Sequence, residues 1–193
     1  MSTRDRIIET ADRLFYQQGF EATSFADIAS AVGISRGNFY HHFKTKDDIL
    51  DAVINQRLAN TEQMLDLWEV TGNDPAERIR SFIHILIVNG EKIRKFGCPV
   101  GTLSSELAKL NHSAQSDAAG LFTLFRTWLD RQFSALGFGA KSDGLAMHIL
   151  GRSQGVATLA NAFDDNGFLQ SEVTLMCDWL DGQIADLNRS AQS

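Results

Sequence analysis

Apolar residues recur along this chain at three- and four-residue spacing, and no window alternates apolar with polar residues for the length of a strand. That period is helical from end to end. Ile7, Ile8, Ala11, Leu14 and Phe15 form the first stripe, which Gly19 closes. Ser24 can cap the next helix, with Asp27 three residues on; Phe25, Ile28, Ala29 and Val32 are its inner face and Gly33 is a natural left-handed stop. Ser35 caps a third, short helix whose Phe39 and Phe43 point inward. Thr45 caps a fourth, with Asp47 and Asp48 in its first turn, and its apolar positions run from Ile49 to Trp68 before Gly72. Asp74-Pro75 restarts the chain with proline at the first helical position, and one pattern then continues from Ile79 to the break at Gly97. A short segment follows from Cys98-Pro99 to about Leu110. A long helix spans about Ser113 to Leu136, Ser142 caps another to about Phe163, and a last one runs from Phe168 to about Leu187 after the turn Asp165-Asn166-Gly167. The pattern predicts an all-α protein of about nine helices.

Within it, Gly33-Ile34-Ser35-Arg36-Gly37 matches G-x-S-x-G, the nucleophile elbow of serine hydrolases. An elbow needs a strand ahead of the serine, because its strain arises in a sharp strand-to-helix turn. Asp27–Val32 is alanine-rich and reads as helix, and no sheet is expected elsewhere to host an elbow. A helical enzyme using Ser35 or Cys98 is therefore the minor competitor, and no catalytic residue is assigned. The other reading fits every local signal: helix Ser24–Val32, a turn at Gly33-Ile34 and helix Ser35–His42 make a helix-turn-helix. The second helix of such a motif lies in the major groove with its leading residues near base edges. Here those are Ser35, Arg36, Gly37 and Asn38. Arg36 offers a fork for guanine O6 and N7, and Asn38 could pair with adenine, although both could instead touch only phosphates. Gly37 costs helix stability relative to alanine but lets the backbone approach a base or phosphate.

Thr23-Ser24-Phe25-Ala26-Asp27-Ile28-Ala29, then Ala31 through Tyr40, His42-Phe43 and Lys46 together resemble the DNA-binding domain of the tetracycline-repressor (TetR) family of bacterial regulators, over about residues 4–50. The resemblance implies a three-helix DNA-binding domain over 1–48 and a larger helical ligand-binding and dimerisation domain over 49–193, joined by a helix of about 46–70. It implies two-fold dimers, inverted-repeat operators in double-stranded DNA, and release of DNA when a small-molecule inducer binds. It also implies that Thr23, Tyr40, His42 and the Lys46 region clamp the DNA backbone. The candidate interface is Thr23, Ser24, Ser35, Arg36, Gly37, Asn38, Tyr40, His41, His42 and Lys46. His41 and His42 are adjacent, so they point about 100° apart on a helix and cannot readily share a metal ion. No metal and no cofactor is expected.

Composition changes this picture little. The 193 residues carry a formal charge of −6, which argues against a protein basic over its whole surface but leaves local patches open. Arg36, Lys44 and Lys46 stand against Glu21 and Asp27 around the motif, whereas Asp164 to Asp186 holds acidic residues and no basic one. Few cations serve each head, so the salt dependence of DNA binding should be shallow. The opening Met-Ser-Thr-Arg-Asp-Arg has charges where a signal peptide needs an apolar run, and no segment suits a bilayer, so a cytoplasmic protein is expected.

In the C-terminal half, an aromatic stripe at helical spacing is more often core than pocket. Phe82, Leu86, Phe122, Phe125 and Trp128 are the leading pocket candidates, favouring a mainly apolar or aromatic ligand, with His84 and His148 as polar anchors. Cys98 begins a helix just after Lys92, Arg94 and Lys95, a setting that favours thiolate. The segment Gly97–Leu107 resembles a Gly-Cys segment of a TetR subgroup, some members of which sense electrophiles or oxidants through that cysteine. A thiol-switch repressor is thus the alternative to a non-covalent inducer; the bland reading is a small packed residue. The last two helices are expected at the dimer interface. Gly151, Gly155, Ala157 and Ala160 permit close helix approach, and Leu159, Leu175, Trp179, Leu180 and Ile184 supply apolar area.

Overall fold

A computed structural model describes residues 2–190. Among them are ten α-helices, one short 3₁₀ turn at Gly139–Lys141 and no strand. The helices are α1 (Thr3–Gln18), α2 (Phe25–Val32), α3 (Arg36–His42), α4 (Lys46–Thr71), α5 (Pro75–Val88), α6 (Gly90–Phe96), α7 (Pro99–Lys109), α8 (Gln115–Ala135), α9 (Ser142–Phe163) and α10 (Asn166–Ser190).

The tenth helix comes from a break that periodicity does not reveal. The single pattern expected from Pro75 to Gly97 is cut at Asn89, where φ is −98° and ψ is 10°. The Asn89 backbone N–H donates to both Ile85 and Ile87 carbonyls, and its side-chain amide donates to Ile85 O at 3.2 Å. A short amide that competes for helical carbonyls favours a local turn over continued helix. The apolar positions resume in phase beyond it, so Leu86 and Ile93 enter the same core. At the other end, α10 starts two residues earlier than expected. Asp164 takes a left-handed conformation (φ 49°), and the Asp165 carboxylate accepts from Phe168 N at 3.0 Å.

The chain divides into two compact units. The first comprises Met1–Thr61 with Pro99–Leu121, the second Glu62–Cys98 with Phe122–Ser193. The expected boundary near residue 48 falls in the first turn of α4, and the first unit takes in α7 as well as the N-terminal helices. Its core joins the α1 stripe, Ile28 and Val32 of α2, Phe39 and Phe43, Ile49 to Ile54 of α4, and Leu103 and Leu107 of α7. Arg57 ties three of these helices together: it pairs with Asp12 of α1 at 2.6 Å and donates to the Pro99 carbonyl at the head of α7 at 2.6 Å. The second unit has its own core, from Leu65 through Ile79, Phe82 and Ile83 to Trp128, Phe133, Ile149, Val156, Met176 and Leu180. Among the described residues, no helix is long and apolar enough to cross a membrane.

Candidate nucleic-acid interface

Three caps and one left-handed glycine build the first unit's exposed head. Ser24 and Asp27 form a reciprocal capping box at the start of α2: Asp27 N donates to the Ser24 hydroxyl and Ser24 N to the Asp27 carboxylate. Gly33 ends α2 at φ 74° and ψ 37°, the left-handed conformation glycine adopts without steric cost, and its N–H donates to Ala29 and Ser30 carbonyls. Ile34 follows, and Ser35 accepts from Asn38 N to start α3. Thr45 and Asp48 repeat the box at α4. Hydrogen bonds to Ser24 hold the Asp27 carboxyl below its ordinary value, and those to Thr45 do the same for Asp48.

Packing then decides which face of α3 meets solvent. Phe39 and Phe43 are buried, and Phe25 lies edge-on to Phe39 with ring centroids 5.0 Å apart. Phe25 also stacks on Tyr40 at 5.5 Å, bracing a ring that stays 48% exposed with its hydroxyl available. Ser35, Arg36, Gly37, Asn38, Tyr40 and His41 are exposed, and His42 is half-buried. A cleft of about 290 Å³ between α2 and α3 is lined by Ser24, Phe25, Ala26, Ala29, Arg36, Phe39 and Tyr40. The leading edge of α3 is thus a continuous polar ridge beside a concave wall.

The cations of this unit divide by task. Arg6 donates to Val32 O at 2.8 Å, satisfying a carbonyl at the end of α2. Lys44 does the same for Tyr40 O at the end of α3, at 2.6 Å. Arg4 lies over the Phe43 ring, 5.0 Å from its centroid. Arg36 has no hydrogen bond or ion pair among the described residues. A guanidinium with five donors and no internal acceptor is free to read an outside one.

Several expected contacts are placed differently. Thr23 is fully buried and its hydroxyl donates to Gly19 O at 2.7 Å, so it braces the turn from inside and does not face a DNA backbone. Lys46 is directed inward: its ammonium donates to Phe20 O at 3.0 Å and sits 4.2 Å from the Phe20 ring centroid. At the start of α4 the Lys44, Thr45 and Asp48 N–H groups are taken by the capping box, leaving fewer for a phosphate than expected. Sequence reading missed the supporting roles of Arg6 and Lys44, because both act on carbonyls that no side-chain motif marks.

Residues 7–53 match the family model for bacterial regulatory proteins of the tetR family. An uncharacterized HTH-type transcriptional regulator from the lacX 3′ region of Lactococcus lactis subsp. lactis is 27% identical over 91% of this chain and 91% of its own. The crystal structure of a TetR transcriptional regulator from Legionella pneumophila superposes with a TM-score of 0.81 at 27% identity, covering 91% of this chain and 96% of that one. The HTH-type transcriptional repressor KstR2 of Mycolicibacterium smegmatis is 29% identical over 60% of this chain and 55% of its own. This chain is a DNA-binding transcriptional regulator whose N-terminal segment matches the TetR family. The helix-turn-helix reading of Gly33–Gly37 thereby displaces the hydrolase elbow, whose serine here serves as a helix cap.

Outside the head, the second unit sorts the remaining candidates of this regulator. Phe82, Leu86, Phe125 and Trp128 are buried in one cluster, with Phe122 and Cys98 packed partly buried against it. Phe82 meets Phe125 edge-on at 5.5 Å. His148, expected among them, is exposed and stacks on Trp179 at 4.6 Å; His84 is also exposed, its ring against Arg80 O. Neither lies in the apolar interior, so neither is an anchor for a ligand there. Of the residues expected between subunits, Gly151, Gly155, Leu159 and Leu175 are exposed, and Trp179 and Ile184 are half-buried. Leu180, Ala157 and Ala160 are fully covered within the protomer and make its core, not an interface.

Proposed function

We propose that this regulator is a homodimeric repressor: two copies of α3 read an inverted-repeat operator, and a small, mainly apolar ligand in the second unit releases it. The observation that carries the DNA half is Arg36, exposed on the leading edge of α3 and unengaged within the chain. Repression is favoured by the similarity to KstR2, a transcriptional repressor of Mycolicibacterium smegmatis. The ligand half draws on the aromatic cluster around Phe82, Phe125 and Trp128, where the Trp128 indole N–H is buried without an acceptor. A ligand carbonyl or ether would satisfy that donor at no further desolvation cost. The upstream cations give little help to a thiol switch at Cys98, because Arg94 pairs with Asp164 at 2.6 Å and Lys95 with Glu91 at 2.8 Å. The ligand needs only to bind more tightly to the conformer whose heads are mis-spaced.

The test begins with selecting bound fragments from genomic DNA and titrating wild type and Arg36→Ala against the selected operator. Base readout predicts a loss of about 1–3 kcal/mol together with relaxed preference at one base-pair position. A uniform loss across all sequences would reassign Arg36 to phosphate, and the absence of any inverted-repeat preference in the wild type would sink the reading.

A further inference from the structure

The turn between α1 and α2 is gripped from two sides by opposite charges. Glu106 of α7 accepts from Phe20 N and Glu21 N, both at 2.9 Å, one through each carboxylate oxygen. Lys46 of α4 donates to the carbonyls of the same two residues, at 3.0 and 3.4 Å. The peptide groups of Phe20 and Glu21 therefore lie with their N–H ends on a carboxylate and their C=O ends on an ammonium. Charge-assisted bonds of this kind are shorter and stronger than neutral ones.

The approach of Glu106 is close enough to constrain its neighbour. A Cβ on Gly19 would stand 3.0 Å from Glu106 Oε1 and 3.3 Å from Oε2, and Gly19 has φ 94°. The positive φ favours glycine there, and any side chain would also press on the Glu106 carboxylate. His112, beyond the end of α7, adds a second hold: its ring meets Phe20 edge-on at 5.2 Å, and its Nε2 lies 3.4 Å from Asp47. Glu106 stands far outside the segment that matches the family's DNA-binding domain, yet both its acceptors serve that segment.

We propose that Glu106 is a positioning residue for operator binding: it fixes the α1–α2 turn to α7, and so sets the pose in which α2 and α3 are presented to DNA. The contact determines geometry more than folding, because Ile7, Phe15, Ile28 and Leu50 bury the core of this unit independently of it. Whatever angle α7 adopts passes to the reading head through this carboxylate. The proposal rests on the regulator reading above.

The variant is Glu106→Gln, which keeps the shape but replaces one acceptor oxygen with an NH₂ that cannot receive an N–H. Three measurements are made on the full-length protein: thermal midpoint, amide hydrogen exchange without DNA, and titration of inverted repeats whose half-sites differ by one inserted base pair. The expected result is selective loss of protection at the Phe20 and Glu21 amides, about tenfold weaker operator binding, and reduced discrimination between the two spacings, with half-site sequence preference retained. Glu106→Asp, charged but one methylene shorter, should fall between. Wild-type affinity and spacing preference in Glu106→Gln would overturn the proposal. So would a loss accompanied by exchange throughout the core, which is the signature of general destabilisation. A wild type that binds no inverted repeat overturns the regulator reading and this proposal with it, whereas an unaffected variant overturns this proposal alone.

Discussion

Gly37 occupies the second position of a seven-residue helix, and nothing in the chain lies within 4 Å of where its Cβ would stand. Glycine inside a helix costs roughly 0.5–1 kcal/mol relative to alanine. At Gly33 the left-handed φ of 74° accounts for the choice, and at Gly19 the positive φ of 94° does, beside the close Glu106 carboxylate. At Gly37 no internal reason exists, and it lies exposed between the exposed Arg36 and Asn38 at the start of α3. The missing side chain is then explained by what α3 approaches. Gly37→Ala should stabilise the free protein by about 0.5–1 kcal/mol while weakening operator binding. Thermal melting and a binding titration on the same preparation read the two signs. Stabilisation with unchanged affinity would leave Gly37 unconnected with DNA.

Three of the first unit's helices, α1, α2 and α4, carry a short acidic side chain in the first turn, and α3 carries none. Asp5, Asp27 and Asp48 sit at the third residue after their caps, at Ser2, Ser24 and Thr45. Hydrogen bonds to Ser2 backbone, Ser24 hydroxyl and Thr45 backbone, respectively, lead in holding these carboxyls below the ordinary 3.8. A carboxyl whose folded value is depressed stabilises the fold fully above its unfolded value, and that contribution is lost as pH falls through the lower folded value. These groups should therefore be silent from pH 5 to 8 and should weaken the head below about pH 3.8. Asp27→Asn keeps an oxygen acceptor for the Ser24 N–H but cannot titrate. Unfolding midpoints of the two proteins should differ near neutrality and converge in acid; a constant gap down to pH 2 would contradict this account. Three of the four caps that define the head and its continuation, Ser24, Ser35 and Thr45, were legible in the sequence, because a cap and its partner lie within three residues. The Asn89 break was not, since the apolar period stays in phase across it. Nor was Glu106, whose partners lie more than eighty residues away in the chain, or the inward turn of Lys46. Long-range polar contacts leave no periodic trace.

At the scale of the whole molecule, the proposed dimer requires a face on which two copies can meet. Within the second unit, α9 carries Gly151 and Gly155 on an exposed face with open space around both, flanked by Leu159 at 45% exposure. Leu175 of α10 is exposed to a similar extent, and His148 stacked on Trp179 bridges the two helices. Burial separates this set from Ala157, Ala160 and Leu180, which resemble it in sequence but are spent within the protomer. Two glycines one turn apart let a second helix approach closely, and a two-fold axis would lay each such face on its copy. Gly155→Glu tests this sharply, because within the protomer the change should be tolerated: glutamate is the better helix former, position 155 is exposed, and an added Cβ meets no neighbour within 4 Å. Between copies it would bring like charges together where close approach is needed. Sedimentation should show monomer at concentrations where the wild type is dimeric. Operator affinity should fall by about a hundredfold or more, the typical gain from linking two binding modules, while a single half-site is bound as before. A variant that remains dimeric with intact operator affinity would place the two-fold contact on another surface. Equal loss on half-site and full operator would mean instead that the substitution had reached the head itself.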